Sequence, residues 1–361
     1  MKKKLAGLFV LILLAFVFLI IGITIINAKS GDKYTKQVLA QSQQQYDSTT
    51  IPYKRGDILD RSGNILATSI KVYNVILDCQ VVNSRESFKE PTKQALSEYL
   101  GIDEDTVEEL LTSEETKDSP YQILKKQISM DEKKNFEKMT EIPADKEEAK
   151  ALSEEETTRR NNTQGVWFEE DYERTYPLNE LACDVVGFTY SGNTADWGLE
   201  GYYNSTLNGT DGRKIGYFND DASLDQNIID PVNGNSLVTT LDVNIQSVVD
   251  KYIEAFMENL KDGPNTDYRG AKNIGVIVAN PKNGEILAMG SNDPYDLNNP
   301  RDLTAQYSDS EIKAMNDDQT KEALYKMWRN YCITDAYEPG SVVKPITVAS
   351  ALESGSITEE D

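Results

Sequence analysis

The chain has 361 residues, enough for roughly two or three domains, and its 37 Lys and Arg against 60 Asp and Glu give a formal net charge of −23. This acidity argues against a nucleic-acid partner, because phosphate groups would be repelled. The sequence contains no histidine, which excludes a Ser-His-Asp triad, a Cys-His dyad and any His-ligated zinc site within the chain.

The first predicted element is a cytoplasmic tail with a transmembrane anchor at residues 1–28. Lys2, Lys3 and Lys4 precede an uncharged apolar run from Leu5 to Asn27. The run exceeds the roughly 7–15-residue apolar core of a signal peptide and suits a helix across about 30 Å of hydrocarbon. The lysines predict a single-pass protein of the cell membrane with a cytoplasmic N-terminus and an extracytoplasmic bulk. A cleaved signal peptide is the alternative interpretation.

Residues 29–50 are predicted to form a polar juxtamembrane stalk. The stretch "RGDILDRSGNILATS" (55–69) is typical of a β-hairpin, because apolar pairs flank a run of turn residues. A further strand is predicted at "VYNVILD" (72–78). Residues 84–160 are rich in Glu, Lys and Asp, and they predict an acidic helical insert with a solvated face rather than a binding site.

A regular pattern begins near residue 235. "NSLVTTLD" (235–242) predicts a strand, and the apolar spacing from Ile245 predicts an amphipathic helix that ends at Gly263-Pro264. "IGVIVAN" (274–280) and "EILAMG" (285–290) flank a turn and predict a hairpin. Together these elements predict an α+β domain with a helix packed on an antiparallel sheet.

The three cysteines, Cys79, Cys183 and Cys332, are far apart and form no C-x-x-C motif. Because an odd count gives no closed disulfide framework, we interpret all three as small buried apolar residues. Cys332 precedes Ser341 closely in the sequence, but no role is assigned to it.

The candidate catalytic residues are Ser341 and Lys344, within "YEPGSVVKPI" (337–346). Pro339-Gly340 predicts a turn that holds the serine at the start of an apolar helix, which we expect to be buried. Positions i and i+3 of a helix share one face, so Lys344 can reach the hydroxyl of Ser341. The helix N-terminus and burial both disfavour an ammonium, which would lower the lysine pKa and make the amine a usable base.

Other serines and a structural interpretation compete with this assignment. Ser30 with Lys33 lies beside the predicted span, and Ser310 with Lys313 lies in a polar run that predicts a solvated helix. Ser341 itself could serve only as a helix cap, with the lysine reaching the surface.

An ordered series of motifs resembles the class B penicillin-binding proteins, which are membrane-anchored D,D-transpeptidases that cross-link bacterial peptidoglycan. Three stretches resemble the family's pedestal, or dimerisation-type, domain: "RGDILDRSGNILA" (55–67), "RTYPLNELACDVVGF" (174–188) and "GLEGYYNSTLNGTDG" (198–212). Three others resemble its transpeptidase domain: "TLDVNIQ" (240–246), "VIVANPKNGEILAMGS" (276–291) and "YEPGSVVKP" (337–345). The resemblance runs from the anchor to residue 361 and is weakest at 84–160.

The resemblance implies a pedestal domain at 51–215, which contains the insert, and a partial transpeptidase domain at 235–361. It implies that Ser341 attacks the penultimate D-Ala of a stem peptide, that an amine resolves the acyl-enzyme, and that β-lactams acylate the same serine. Lys344 would be the base of the first step. The implied partners are stem peptides ending in D-Ala-D-Ala, β-lactams, the membrane and other cell-wall synthesis or division proteins, with no cofactor and no metal.

Six residues match pedestal positions of the family, and we predict structural roles for them in turns and hydrogen-bonded contacts. They are Arg55, Gly56, Asp60, Arg61, Gly63 and Glu200.

The sequence departs from the family pattern after Lys344. The family site also uses a Ser-x-Asn and a Lys-Thr/Ser-Gly element, and neither follows Lys344; similar words at 62–64, 191–193 and 29–31 come in the wrong order. We therefore expect an incomplete chain that is inactive alone. The alternative function is a catalytically inactive, membrane-anchored scaffold in a cell-wall synthesis complex. A β-lactam-sensing or β-lactam-hydrolysing relative is a third interpretation, against which the pedestal motifs argue.

Overall fold

A computed structural model describes residue 16 and residues 49–190, 193–218, 224–260 and 271–360. Within these ranges, no helix combines the length and the apolar composition that a membrane crossing requires. The predicted cytoplasmic tail and transmembrane anchor at 1–28 lie outside the described residues except for Phe16, and so does the stalk except for its last two residues. The predicted helix end at Gly263-Pro264 also lies outside them.

Strands and helices are interspersed along the described residues, so the fold is mixed α+β. The strands are Thr49–Ile51, Ile58–Leu59, Ile65–Leu77, Gln122–Ile128, Val166–Thr175, Gly212–Phe218, Leu224–Ile229, Leu237–Val238, Gly275–Ala279 and Ile286–Ser291. The α-helices are Cys79–Asn83, Glu86–Leu100, Glu104–Thr112, Met130–Thr140, Lys146–Ala151, Glu154–Asn162, Cys183–Val186, Gly198–Tyr202, Asn204–Leu207, Val243–Asn259, Asp309–Ala314, Asp317–Met327, Tyr331–Thr334 and Lys344–Glu353. A 3-10 turn, Gly340–Val343, comes directly before the last of these helices.

The chain divides into two compact units that interleave along the sequence. The first unit takes the residues up to Arg55 together with Ser69–Glu173 and Asn208–Gly234. The second unit takes Gly56–Thr68, Arg174–Leu207 and the residues from Asn235 onward.

The first unit builds its core from strands and from the acidic stretch 84–160. Gln122–Ile128 pairs antiparallel with the later part of Ile65–Leu77, and Leu96 and Val107, both fully buried, pack in the same core. The stretch is mainly helical, as predicted, but it also contributes this strand and part of the core. The prediction of a merely solvated insert was therefore incomplete, because apolar residues at helical spacing lie between the charges.

In the second unit, the hairpin predicted at 55–69 is confirmed, with Ile58 opposite Ala67. The strand predicted separately at 72–78 is instead the continuation of Ile65–Leu77, because neither Gly nor Pro interrupts the chain between these residues. The strand predicted at 235–242 is limited to Leu237–Val238, which pairs parallel with Ile58–Leu59.

A helix on a hairpin follows in the second unit, as predicted. Asp242 caps the helix Val243–Asn259 by accepting from the backbone N–H groups of Asn244 and Ile245. Gly275–Ala279 and Ile286–Ser291 pair antiparallel. One face of the helix packs on this hairpin around the buried Ala288.

A larger hydrophobic core of the second unit contains Ile58 of the first hairpin, Val186 and several aromatic rings. Phe188 lies edge-on to Tyr295, with ring centroids 6.1 Å apart, and its ring is 4.9 Å from that of Trp328. The residues "ELACDVVGF" and the segment before "YEPGSVVKP" therefore share one hydrophobic core.

Candidate functional site

Ser341 and Lys344 lie one turn apart on a continuous helical segment. Gly340 has a φ of 58°, in the left-handed region that glycine adopts without strain. Ser341 follows in the 3-10 turn, and the backbone N–H of Lys344 donates to the carbonyl of Ser341. Pro345 occupies the first turn of the helix Lys344–Glu353, where its missing N–H costs little. The turn and the helix start were predicted from the sequence.

The prediction that this helix is buried is wrong for the described residues. Val342 is 69% exposed, Ile346 is 65% exposed and Val348 is 49% exposed, so the apolar face is open to solvent. Ser341 and Lys344 are exposed as well, and within residues 271–360 no hydrogen bond joins their side chains. An apolar composition predicts that a helix can be covered, but a covering surface has to come from other parts of a fold.

The segment before Ser341 is held by a buried amide that we did not identify from the sequence. The side chain of Asn330 is buried, and its Nδ2 donates to the backbone carbonyl of Asp184 at 3.1 Å. Its Oδ1 accepts from the backbone N–H of Cys332 at 3.0 Å and caps the helix Tyr331–Thr334. The sequence signal available for this role was an Asn directly before a short helical run.

Asp184 is a buried acid at the start of a short helix. Its Oδ2 accepts from the hydroxyl of Ser291 at 2.6 Å. Burial raises the pKa of Asp184 to about 6; the Ser291 hydrogen bond opposes this rise, and the carboxylates of Asp250 and Asp293 add to it. Asp184 and Asp250 also line a cavity of about 500 Å³ together with Gln246. An acid within "ELACDVVGF" was the available signal, which we left unused.

The cysteines are free thiols among the described residues, and two of them are fully buried. Burial raises the pKa of Cys79 to about 11 and raises that of Cys183 well above its ordinary value. Both agree with the predicted role of small apolar residues. Cys332 is only half-buried, and burial raises its pKa too. Raised pKa values keep thiols protonated, so none of the three is an activated nucleophile.

Asp60 organises the turn of the first hairpin. It is fully buried and accepts from the backbone N–H groups of Ser62 and Asn64, both at 2.8 Å, and of Val243 at 3.2 Å. Burial acts to raise the pKa of Asp60, but these hydrogen bonds and one from the Asn64 amide lower it below its ordinary value. This geometry agrees with the predicted structural role.

Arg174 links Glu200 to the backbone of Gly56. Arg174 Nε lies 2.7 Å from Glu200 Oε1, and the guanidinium also donates to the carbonyl of Gly56 at 2.9 Å. A Cβ on Gly56 would lie 2.0 Å from the carbonyl oxygen of Asn235, so this close backbone approach requires glycine.

The remaining pedestal residues also make local contacts. Arg55 is fully buried, and its Nη1 donates to Asn208 at 2.5 Å. Arg61 lies 3.5 Å from Glu285, and Gly63 has a φ of 88° in the hairpin turn. The geometry of all six residues is thus that of structural contacts.

Two family models match the chain. Residues 50–239 match the penicillin-binding protein dimerisation domain, and residues 274–361 match the penicillin-binding protein transpeptidase domain. Ser341 and Lys344 fall in the second match, and the six pedestal residues fall in the first.

Individual relatives agree with these matches. Peptidoglycan D,D-transpeptidase FtsI of Buchnera aphidicola subsp. Schizaphis graminum is 28% identical over 347 residues, 94% of this chain and 50% of the relative. Penicillin Binding Protein 2X from Streptococcus thermophilus has a similar fold, with a TM-score of 0.57, 23% identity and coverage of 86% of this chain and 42% of that chain. PBP2 of Helicobacter pylori, solved in complex with MreC, gives a TM-score of 0.56, 23% identity and coverage of 87% and 54%.

The chain spans about half the length of the curated relatives it matches. The dimerisation-domain match alone covers more than half of the chain, and the motifs from "RGDILDRSGNILA" to "YEPGSVVKP" occur within the two matches in the family's order. The chain therefore belongs to the class B penicillin-binding proteins.

Proposed function

We propose that Ser341 is the nucleophile of a peptidoglycan D,D-transpeptidase and that Lys344 is its base. The observation that carries this proposal is the placement of Ser341 in the turn Gly340–Val343, one turn before Lys344, within the residues that match the transpeptidase domain. A relative named as a peptidoglycan D,D-transpeptidase supports the same reaction.

The reaction proceeds by acyl transfer. Ser341 Oγ attacks the carbonyl carbon of the penultimate D-Ala while its proton passes to the base. The bond to the terminal D-Ala breaks, that residue leaves as a protonated amine, and an ester remains on the serine. The amine of a second stem peptide then attacks the ester and restores the hydroxyl. A β-lactam enters the same first step, but its opened ring stays attached to the acyl group.

The proposal includes anchoring by residues 1–28, with the bulk of the chain outside the cytoplasm. The uncharged run from Leu5 to Asn27 and the lysines before it support this topology. Substrates of a cell-wall enzyme lie on that side of the membrane.

The proposal also includes inactivity of residues 1–361 on their own. No Ser-x-Asn or Lys-Thr/Ser-Gly element follows Lys344 in this sequence, and the apolar face of the helix Lys344–Glu353 is exposed. Both observations support a site that needs further residues around Ser341. The second candidate function is a scaffold, which is favoured by the structure of Helicobacter pylori PBP2 in complex with MreC. A cell-wall protein partner is therefore proposed here as well.

The test is covalent labelling of source-cell membranes with a tagged penicillin. We expect the tag on the peptide that contains "YEPGSVVKP". We expect Ser341→Ala to abolish labelling, while Ser310→Ala, in the exposed pair Ser310 and Lys313, leaves it unchanged. The purified 361-residue chain should remain unlabelled in the same assay. Labelling that survives Ser341→Ala would refute the nucleophile assignment, and a labelled 361-residue chain would refute the proposed inactivity.

A further inference from the structure

Asn330 joins three parts of the second unit through one buried side chain. It is 7% exposed, its Nδ2 bonds the carbonyl of Asp184 in the helix Cys183–Val186, and the same nitrogen lies 3.3 Å from the sulfur of Met289 in the hairpin. Its Oδ1 caps the helix Tyr331–Thr334. A buried amide is destabilising unless it is hydrogen-bonded, and here both ends of the amide have partners.

The residues after Asn330 are also held by polar contacts at their C-terminal end. The guanidinium of Arg329 donates to the hydroxyl of Thr334 at 3.0 Å and to its carbonyl at 3.2 Å, and it forms an ion pair with Asp335 at 3.0 Å. Cys332 Sγ lies 3.5 Å from the carbonyl of Gly290 on the hairpin strand. We call Tyr331–Asp335 the anchor segment.

Beyond the anchor segment the chain leads directly to the serine. Residues 336–341 are exposed, and Tyr337 is 72% exposed. The anchor segment packs on the hairpin at 275–291, and the residues between it and Ser341 are exposed. Asn330 is the residue that bonds it to the helix Cys183–Val186.

We propose that Asn330 is a positioning residue for Ser341: its bond to the carbonyl of Asp184 fixes where the anchor segment begins and thereby where the nucleophile is presented. This inference rests on the proposed function of Ser341. Acyl transfer requires the attacking oxygen to be held within a fraction of an ångström of its productive position, and a misplacement of about 1 Å can cost on the order of 100-fold in rate. Asn330 itself does not touch the reacting atoms.

Two substitutions distinguish the hydrogen bond to the carbonyl of Asp184 from the helix cap. Asn330→Ala removes both hydrogen-bonding functions. Asn330→Asp retains an oxygen for the N–H of Cys332 but replaces the donor that faces the carbonyl of Asp184 with an acceptor. The matched control is Asn316→Ala. Asn316 also caps a helix, Asp317–Met327, through its side-chain oxygen, but it is exposed and accepts from the N–H of Gln319 of its own helix.

The first measurement is the acylation of the whole protein in source-cell membranes by a tagged penicillin, with the reversible binding constant separated from the first-order acylation rate. For Asn330→Ala and for Asn330→Asp we expect the acylation rate to fall about tenfold or more, with the binding constant changed by less than about threefold. Asn316→Ala should acylate at the wild-type rate. A wild-type acylation rate in Asn330→Asp would overturn the proposal.

The second measurement does not depend on activity. Amide hydrogen exchange in the 361-residue chain should become faster at Cys332 in Asn330→Ala, because the Cys332 N–H donates to the Asn330 side chain. Exchange should also become faster at Ile333 and Thr334, whose N–H groups donate to the backbone carbonyl of Asn330 in the short helix that this side chain caps. In Asn330→Asp the Cys332 amide should stay protected. Unchanged amide exchange in Asn330→Ala would refute the claim that Asn330 holds the anchor segment. An unlabelled wild type with the expected exchange would instead refute the proposed function alone.

Discussion

At the scale of single residues, the acids of this chain behave according to their partners. Asp60 accepts several N–H groups, and its pKa lies below the ordinary value. Asp184 accepts from one hydroxyl, and the pKa of this buried acid lies at about 6. Hydrogen bonds thus lower the pKa of the aspartate in the hairpin turn, whereas burial raises the pKa of the aspartate at the start of the helix Cys183–Val186.

The raised pKa of Asp184 predicts a stability that depends on pH. Because the group binds its proton more tightly in the fold, at about 6, than at the ordinary 3.8, its contribution is full below the lower value and is lost as pH rises through the upper one. Asp184→Asn should therefore be more stable than the wild type above pH 7, by on the order of 2–3 kcal/mol, and should match it near pH 4.

Urea denaturation of both chains at several pH values measures this difference. Glu359→Gln, at an exposed carboxylate, provides the control and should differ from the wild type by less than about 0.5 kcal/mol throughout. A difference between Asp184→Asn and the wild type that does not grow with pH would contradict the assignment.

At the scale of elements, the helix Val243–Asn259 shows what periodicity leaves open. The apolar positions from Ile245 onward predict one broad face. In the structure that face is divided: Val249 and Ile253 are buried against the hairpin, whereas Tyr252 is 70% exposed and Phe256 is 51% exposed. Among the described residues, one side of the apolar face packs on the hairpin at 275–291 and the other side is exposed.

Neighbouring residues of this helix should consequently differ in their importance for stability. Ile253→Ala leaves a cavity on the hairpin and should lower the free energy of unfolding by about 2–4 kcal/mol. Tyr252→Ala should change it by less than about 0.5 kcal/mol, because the ring is mostly exposed. Urea denaturation followed by tryptophan fluorescence measures both values in the 361-residue chain. Equal losses for the two variants would show that a second surface covers Tyr252.

At the scale of the whole molecule, the chain combines an acidic bulk with an apolar N-terminal run. The net charge of −23 belongs to a chain whose residues 5–27 carry no charge. The two compact units interleave along the sequence. The motifs that resemble a pedestal domain are therefore divided between the units, whereas those that resemble a transpeptidase domain all lie in the second unit.

The apolar run predicts the behaviour of the chain in membranes. The chain should remain with the membrane pellet after extraction with alkaline carbonate, because a helix across about 30 Å of hydrocarbon is not released by raising pH. Deletion of residues 2–28 should move it to the soluble fraction. Release of the intact chain would contradict the transmembrane anchor. A mature protein that begins after residue 28 would establish the cleaved signal peptide instead.

Much of the local structure was predictable because it depends on neighbouring residues. Ile58 and Ala67 pair across a turn whose residues are adjacent in sequence, and Gly340 allows the turn that presents Ser341. The spacing of Ser341 and Lys344 places them on one helical face wherever that helix forms. The acidic stretch 84–160 showed its helices by pattern, but its contribution to a core depended on strands far away in the sequence.

The family, the order of its motifs and the serine–lysine pair can be read from the amino-acid sequence, because they depend on residue identity and on contacts within a few positions. The folded chain brings Asn330 to Asp184, Arg174 to Glu200 and Gly56 to Asn235. Those partners are distant in sequence, and no periodicity encodes which buried polar groups will meet. Burial of the helix after Ser341 is set in the same way, since an apolar face is covered only where another surface packs against it.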